Sequence, residues 1–366
     1  MECKSRKIKL QRSGGASASP EIKKCSVHHK ARKNSLCFMM GRTRTKGVTD
    51  VRKYLIKRIL TLIPVLFIVS VVIFTLIHLT PGDPARIMLG AQASESDVEA
   101  LRETMGFNKP LPVQYFDWMI DIFHGNLGKS VYINQPMTEI IADHMGPTIM
   151  LTMYAMIFVI LVGIPLGIIA AKKRGTITDS AIEGLSMVGI SIPSFLLGLL
   201  LILLFVVKLK WLPVGGYKPL KEYGFLENLR YLVLPAVALG FMETGLIIRM
   251  TRSSVLEVLN CDYIKMAKAK GVKEFWLVFK HALKNAILPI LTTIGQTLMG
   301  LLSGASIVET VFNIPGAGQL IINSVSKRDY EVIQADVLVI AVINVLVCFL
   351  IDILYSVVDP RVRLEK

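Results

Sequence analysis

The chain has 366 residues, is 52% hydrophobic, and has a mean hydropathy of +0.54 with a formal net charge of +15. A soluble protein this apolar could not cover its own surface, so soluble enzymes and free nucleic-acid binders are excluded and a membrane protein comes first. A positive balance in such a chain is a topology signal, because a nucleic-acid footprint needs a soluble basic face and none is visible.

Residues 1–50 are rich in Lys, Arg, Ser and Gly and lack apolar periodicity, so they are expected to form a disordered basic extension. Cys25, His28, His29 and Cys37 are zinc-ligand types, but in such a tail they read as incidental and no metal site is assigned. Met39 and Met40 stand just before the first apolar run and are the expected natural start. That run has no small-residue cleavage site, so it reads as a retained span.

About 20 apolar residues cross a bilayer as a helix. Six stretches qualify: about Ile59–Leu79, Pro147–Ala171, Ile182–Val207, Tyr231–Met250, Ala286–Val308 and Ala335–Val358. The predicted architecture is therefore an all-α, six-span domain over residues 51–366. With the N-terminus inside, the inner segments carry 31 Lys and Arg and the outer segments 11. The positive-inside rule then places both termini in the cytoplasm.

After the first span, Pro81, Gly82 and Pro84 turn the chain into an outer segment, residues 80–146. Ser94 and Ser96 begin a helix that Gly106 ends. Tyr115, Trp118 and Phe123 mark an amphipathic stretch near the outer interface. Gly128-Lys129-Ser130 mimics the end of a phosphate-binding loop, but position 123 is Phe where that loop needs Gly, so no ATP binding is assigned. Gly163 and Gly167, Ala236 and Gly240, and Gly300 and Gly304 are small pairs four apart that let helices approach closely. Pro64, Pro165, Pro193 and Pro235 are expected to kink or end helices.

Acids in hydrocarbon are costly and draw functional suspicion. Glu183 and Asp336, at span starts, are expected to reach headgroup water. Asp352 is expected to pair with a neighbour or with Arg361 or Arg363. Glu243 lies deepest, near the middle of the fourth span, and is the candidate pathway residue.

The inner segment 251–285 is the most organised polar part of the chain. Ser254 and Glu257 fit a capping box, which predicts a helix restarting there, running to Lys270 and stopping at Gly271. A second amphipathic helix comes next, with Phe275, Phe279, Ala282 and Ala286 on one face. Two readings fit: a short helix seated in a partner's groove, or an interfacial helix anchored by Lys and Trp276.

The segment resembles the cytoplasmic coupling loop of ABC-importer permeases, in its dipeptide/oligopeptide/nickel form. Tyr263, Ile264, Ala267, Ala269, Lys270 and Gly271 match its first half; His281, Ala282, Leu283, Asn285, Ala286 and Pro289 match its second. Lys265 and Met266 replace the Glu and first Ala of the general permease pattern. PLPVQY (110–115), GNLGKS (125–130), MTRSS (250–254), VETVFNIPGAG (308–318) and RDY (328–330) resemble further signatures, and the likeness covers about residues 52–363.

The resemblance implies a type I importer permease in a bacterial or archaeal cytoplasmic membrane. It implies four partners: a second similar permease, two cytoplasmic ATPases and an extracytoplasmic binding protein. The chain itself would bind no cofactor, with ATP and Mg used by the partners. Di- and oligopeptides are the expected cargo, with nickel or metallophore complexes and glutathione as alternatives. A self-sufficient ion-coupled carrier is the reading from outside the family, and a membrane enzyme has no convincing motif.

Overall fold

The computed structural model describes residues 49–79, 84–89, 93–130, 133 and 135–358. The tail, Met39, Met40, Arg361 and Arg363 lie outside them, as do Cys25, His28, His29 and Cys37. Among the described residues every regular element is helical, apart from one isolated bridge between Lys129 and Pro136.

The outer segment continues from the long helix α1 (Thr49–Leu79) as three short helices, α2 (Pro84–Leu89), α3 (Glu95–Met105) and α4 (Leu111–Phe123). Ser94 caps α3 by accepting the Asp97 N–H at 3.2 Å, and Gly106 ends it at φ +72°. Helix α4 stacks on the outer end of α1, with Tyr115 edge-on to Phe74 at 5.4 Å and Trp118 5.9 Å from the same ring.

The remaining long elements are α5 (Met137–Lys172), α6 (Ile177–Ser191) with α7 (Ser194–Leu201), α8 (Leu220–Leu259), α11 (Leu283–Val311) and α13 (Tyr330–Val358). A π-helical run, Ile202–Lys208, extends α7. Among the described residues five helices, beginning with α1, are long and apolar enough to cross a membrane, and α6 with α7, bent by 103°, makes six when counted as one broken span. The break has a local cause. Pro193 lacks an N–H and drives Ile192 out of the helical region, to ψ 119°. Pro64, Pro165 and Pro235, by contrast, sit within helices that run on past them.

Helix α8 is the central rod. It kinks near its start at Gly224, φ +78°, and at 1.5 Å per residue the straight part, Phe225–Leu259, reaches about 50 Å, beyond the ~30 Å of hydrocarbon. It therefore carries the fourth span past its expected end at Met250, through Ser254, to Leu259. The predicted restart at Ser254 does not occur: that residue is buried within α8. The small residues are where neighbours touch the rod. A Cβ on Gly167 of α5 would lie 2.6 Å from Thr251 Cβ, and one on Gly245 of α8 would lie 2.6 Å from the Ser186 carbonyl of α6.

Ion pairs tie one end of the bundle. Arg58 at the start of α1 meets Asp352 near the end of α13 at 3.0 Å, and Arg252 of α8 meets Asp179 of α6 at 2.7 Å. The two chain ends of the bundle are thus on one side, as an even number of crossings requires.

Candidate coupling site and interior acids

The rod ends at Leu259. Asn260 and an extended Cys261 turn the chain, and α9 (Asp262–Ala269) begins. Its C-terminus is a complete Schellman motif. Val272 N–H donates to the Ala267 carbonyl at 3.3 Å and Gly271 N–H to the Lys268 carbonyl at 3.0 Å. Closing both bonds puts Gly271 at φ +79°, where a side chain is disfavoured. Beyond it run the short α10 (Glu274–Trp276) and a π-helical turn, Leu277–Ala282, which merges into α11.

The two halves of the motif meet in space. Asn285 Nδ2 donates to the Tyr263 hydroxyl at 2.7 Å and to the His281 carbonyl at 3.2 Å. Burial pushes the Tyr263 phenol up from its ordinary pKa. Ala267 packs on a buried cluster that includes Ile264, Leu277, Val278, Ala282 and Ala286 and joins the loop to α5 and α8. Ala269, Lys270, Gly271 and Pro289 face outward, and His281 is half-buried.

The predicted amphipathic face is split. Ala282 and Ala286 are buried, whereas Phe275, Trp276 and Phe279 are 58%, 55% and 46% exposed. A π turn inserts a residue and rotates the helix beyond it, so a 3.6-residue wheel drawn through it misplaces the aromatic side chains. Phe275 and Phe279 instead pack on each other, centroids 4.6 Å apart, as an exposed apolar patch.

Arg252 is legible in the sequence only as part of the MTRSS run. It grips Asp179 with two hydrogen bonds, Nε at 2.7 Å and Nη2 at 2.8 Å, and reaches Glu183 at 3.0 Å. Asp179 also accepts the Gly175 N–H at 2.9 Å. Glu183, expected in headgroup water, is thus engaged by a cation. The signal available in the sequence is a pair of opposite charges at the inner borders of two spans.

Glu243 projects towards α11. Thr297 donates to its Oε2 at 3.0 Å, and its Oε1 occupies the space a side chain on Gly300 would need. Asp352 pairs with Arg58.

Sequence reasoning passes over Glu309. It is fully buried at the end of α11, where it accepts the Thr148 hydroxyl at 2.6 Å and the Gln319 N–H at 3.0 Å. Thr148 in turn accepts the Ala317 N–H at 2.8 Å. Side chains of α5 and α11 thereby satisfy first-turn donors of α12 (Ala317–Lys327), which nothing else in the helix can do. A Cβ on Gly316 would lie 2.3 Å from the Glu309 carboxyl carbon, so the glycine is there to admit the carboxylate. Asp336 departs from expectation. It is fully buried in α13, and neither carboxylate oxygen has a hydrogen-bond partner among the described residues. Its helix begins at Tyr330, a turn before the expected start, and α12 packs against it, so headgroup water is shut out.

Comparison with known proteins places this architecture. Residues 163–364 match the family model "Binding-protein-dependent transport system inner membrane component", and residues 51–152 match its N-terminal companion. Three relatives each align with 85% of this chain. A probable peptide ABC transporter permease of Sinorhizobium fredii is 40% identical with 99% of its length covered. A dipeptide transport system permease of Alkalihalophilus pseudofirmus is 41% identical, also with 99% covered. A glutathione transport system permease of Salmonella typhi is 40% identical with 98% covered. An inward-facing structure of the MetNI methionine ABC transporter shares the fold, with TM-score 0.52 and 19% identity over 62% of this chain and 99% of that one. A helical bundle built around one long rod, with a Gly-terminated loop at its end and both family models matched in register, makes this chain a multi-pass inner-membrane protein that belongs to the binding-protein-dependent transport permeases.

Proposed function

We propose that the chain is one of two permease subunits of an ATP-driven importer and carries di- and oligopeptides across the cytoplasmic membrane. The names of the relatives support peptides, and glutathione, itself a short peptide, is the second reading their names favour. Two cytoplasmic ATPases would bind and hydrolyse ATP with Mg, and a binding protein would deliver substrate from outside. This chain would hold no cofactor.

The observation that carries the coupling role is the closed loop at the end of α8. Tyr263 and Asn285 lock its two halves, Ala267 fastens it to the core, and Gly271 makes the turn. Ala269, Lys270, Gly271 and Pro289 would meet the ATPase together with the aromatic patch, while His281, within the π turn, ties that turn to Asn285 through its carbonyl. The loop hangs on a rod continuous with the core, so a push on it reaches the bundle without a flexible joint. Glu243 would line the pathway beside α11.

The test is copurification in mild detergent and then uptake. A tagged chain should bring a second permease and Walker-motif ATPases, and its deletion should abolish uptake of labelled dialanine. Recovery of the chain alone, or uptake driven by an ion gradient without ATP, overturns the proposal. Loss of glutathione or nickel uptake with dialanine uptake intact would reassign the cargo.

A further inference from the structure

At the end of the bundle opposite the Arg58–Asp352 pair lies a cavity of about 250 Å³ that neither the coupling loop nor the rod explains. Its walls come from three distant stretches: Phe74 and His78 of α1, Trp118 and Asp121 of α4, and Tyr330 and Glu331 of α13. Three stretches that resemble family signatures (110–115, 125–130 and 328–330) contribute lining residues.

The walls are held in place. His78 Nε2 is 3.1 Å from Gln114 Oε1, and Gln114 Nε2 donates to the Lys109 carbonyl at 2.7 Å and the Phe107 carbonyl at 3.1 Å. Phe74 is wedged against Tyr115 and Trp118. Charge is arranged unevenly. Lys109 neutralises Asp117 at 2.7 Å, whereas Asp121 and Glu331 make no ion pair among the described residues. Two carboxylates without a cation, beside aromatic faces, present hydrogen-bond acceptors and ring quadrupoles to a positive group. The volume falls below the roughly 300–1,000 Å³ of drug-sized sites, which suits an end group rather than a whole peptide.

We propose that this cavity is an extracytoplasmic binding site for a primary ammonium group, with Asp121 and Glu331 as its acceptors and Trp118 as its aromatic wall. The group is the amino end of an arriving peptide or the headgroup of an aminophospholipid. Only the first source rests on the peptide reading above.

The chain has three tryptophans, so Trp211→Phe with Trp276→Phe leaves Trp118 as the sole reporter. The full chain in phosphatidylglycerol nanodiscs is titrated with ethylammonium, dialanine and N-acetyl-dialanine while Trp118 emission is monitored. The first two should give a saturable change. The acetylated peptide should bind about tenfold or more weakly, the loss expected for one charge-assisted hydrogen bond. Asp121→Asn with Glu331→Gln should weaken ethylammonium to the same degree, while Asp121→Glu retains it; an unchanged elution profile shows that each variant folds. An equal response to the acetylated peptide, no saturable response, or unaltered affinity in the double variant overturns the site. Nanodiscs containing phosphatidylethanolamine assign the source. Emission already shifted, with ethylammonium weakened by competition, identifies the lipid headgroup, and no shift identifies the peptide. Ethylammonium tests the site independently of any transport, so failure here and failure of the peptide reading are told apart.

Discussion

A φ of +79° at Gly271 separates two kinds of substitution at one position. No atom lies within 4 Å of a Cβ built there, so bulk is tolerated and only the backbone resists. Gly271→Ala should cost the turn about 1–2 kcal/mol, and Gly271→Asn less, because Asn visits the left-handed region more readily. Gly271→Asp adds a charge on an exposed turn, the face proposed above to meet the ATPase. Uptake should therefore fall in the order Asn, Ala, Asp; wild-type uptake by Gly271→Asp would remove the residue from coupling. Gly316 is the opposite case, since its Cβ would collide with the Glu309 carboxylate. Gly316→Ala should destabilise the fold by about 2–3 kcal/mol, the cost of overpacking, seen as a lower melting temperature in detergent. Gly271 is legible in the sequence because a helix stop is local. Glu309 is not: its partners are 161 and 10 residues away, and their meeting depends on three helices converging.

The element that most needs explanation is the joint between α6 and α8. Arg252 and Asp179 have side-chain exposures of 20% and 6%, so removing one partner strands a largely buried charge. Arg252→Met should cost about 3 kcal/mol, the lower end of the range for broken buried pairs. Arg252→Met with Asp179→Leu should recover part of that stability, as chemical denaturation will report. If the joint also carries motion from the loop to the broken span, the double variant should regain stability yet hydrolyse more ATP per peptide in the assembled importer. Within the coupling loop, Tyr263→Phe and Asn285→Ala form a second cycle. Their coupling energy should be about 1 kcal/mol, that of one hydrogen bond; a value near zero would mean that the two halves are held by the apolar cluster alone. The π turn explains why sequence periodicity misplaces the aromatic face. Helical wheels assume one period, and an inserted residue is invisible until backbone bonds are traced.

At the scale of the molecule, orientation and partner geometry constrain what the interior acids can do. Glu243 is half-buried between α8 and α11 and shares its carboxylate with Thr297. Glu243→Gln keeps the shape and the Thr297 contact, so assembly should survive while uptake changes; unchanged uptake would make the residue structural. The existence of long apolar helices, their basic inner flanks and the Gly-terminated loop could be read from the chain alone. Each arises from transfer energy, charge placement or backbone stereochemistry acting over a few residues. Only the tertiary structure decided which carboxylate is paired, which is capped and which is left dry, that α8 continues through Ser254, and that three stretches far apart in sequence enclose a cavity at the outer end. Those outcomes depend on packing between segments far apart in the chain, as Ser130 bonded to Asp329 shows at a separation of 199 and the Arg58–Asp352 pair at a still greater one, and no local period or composition encodes such a meeting.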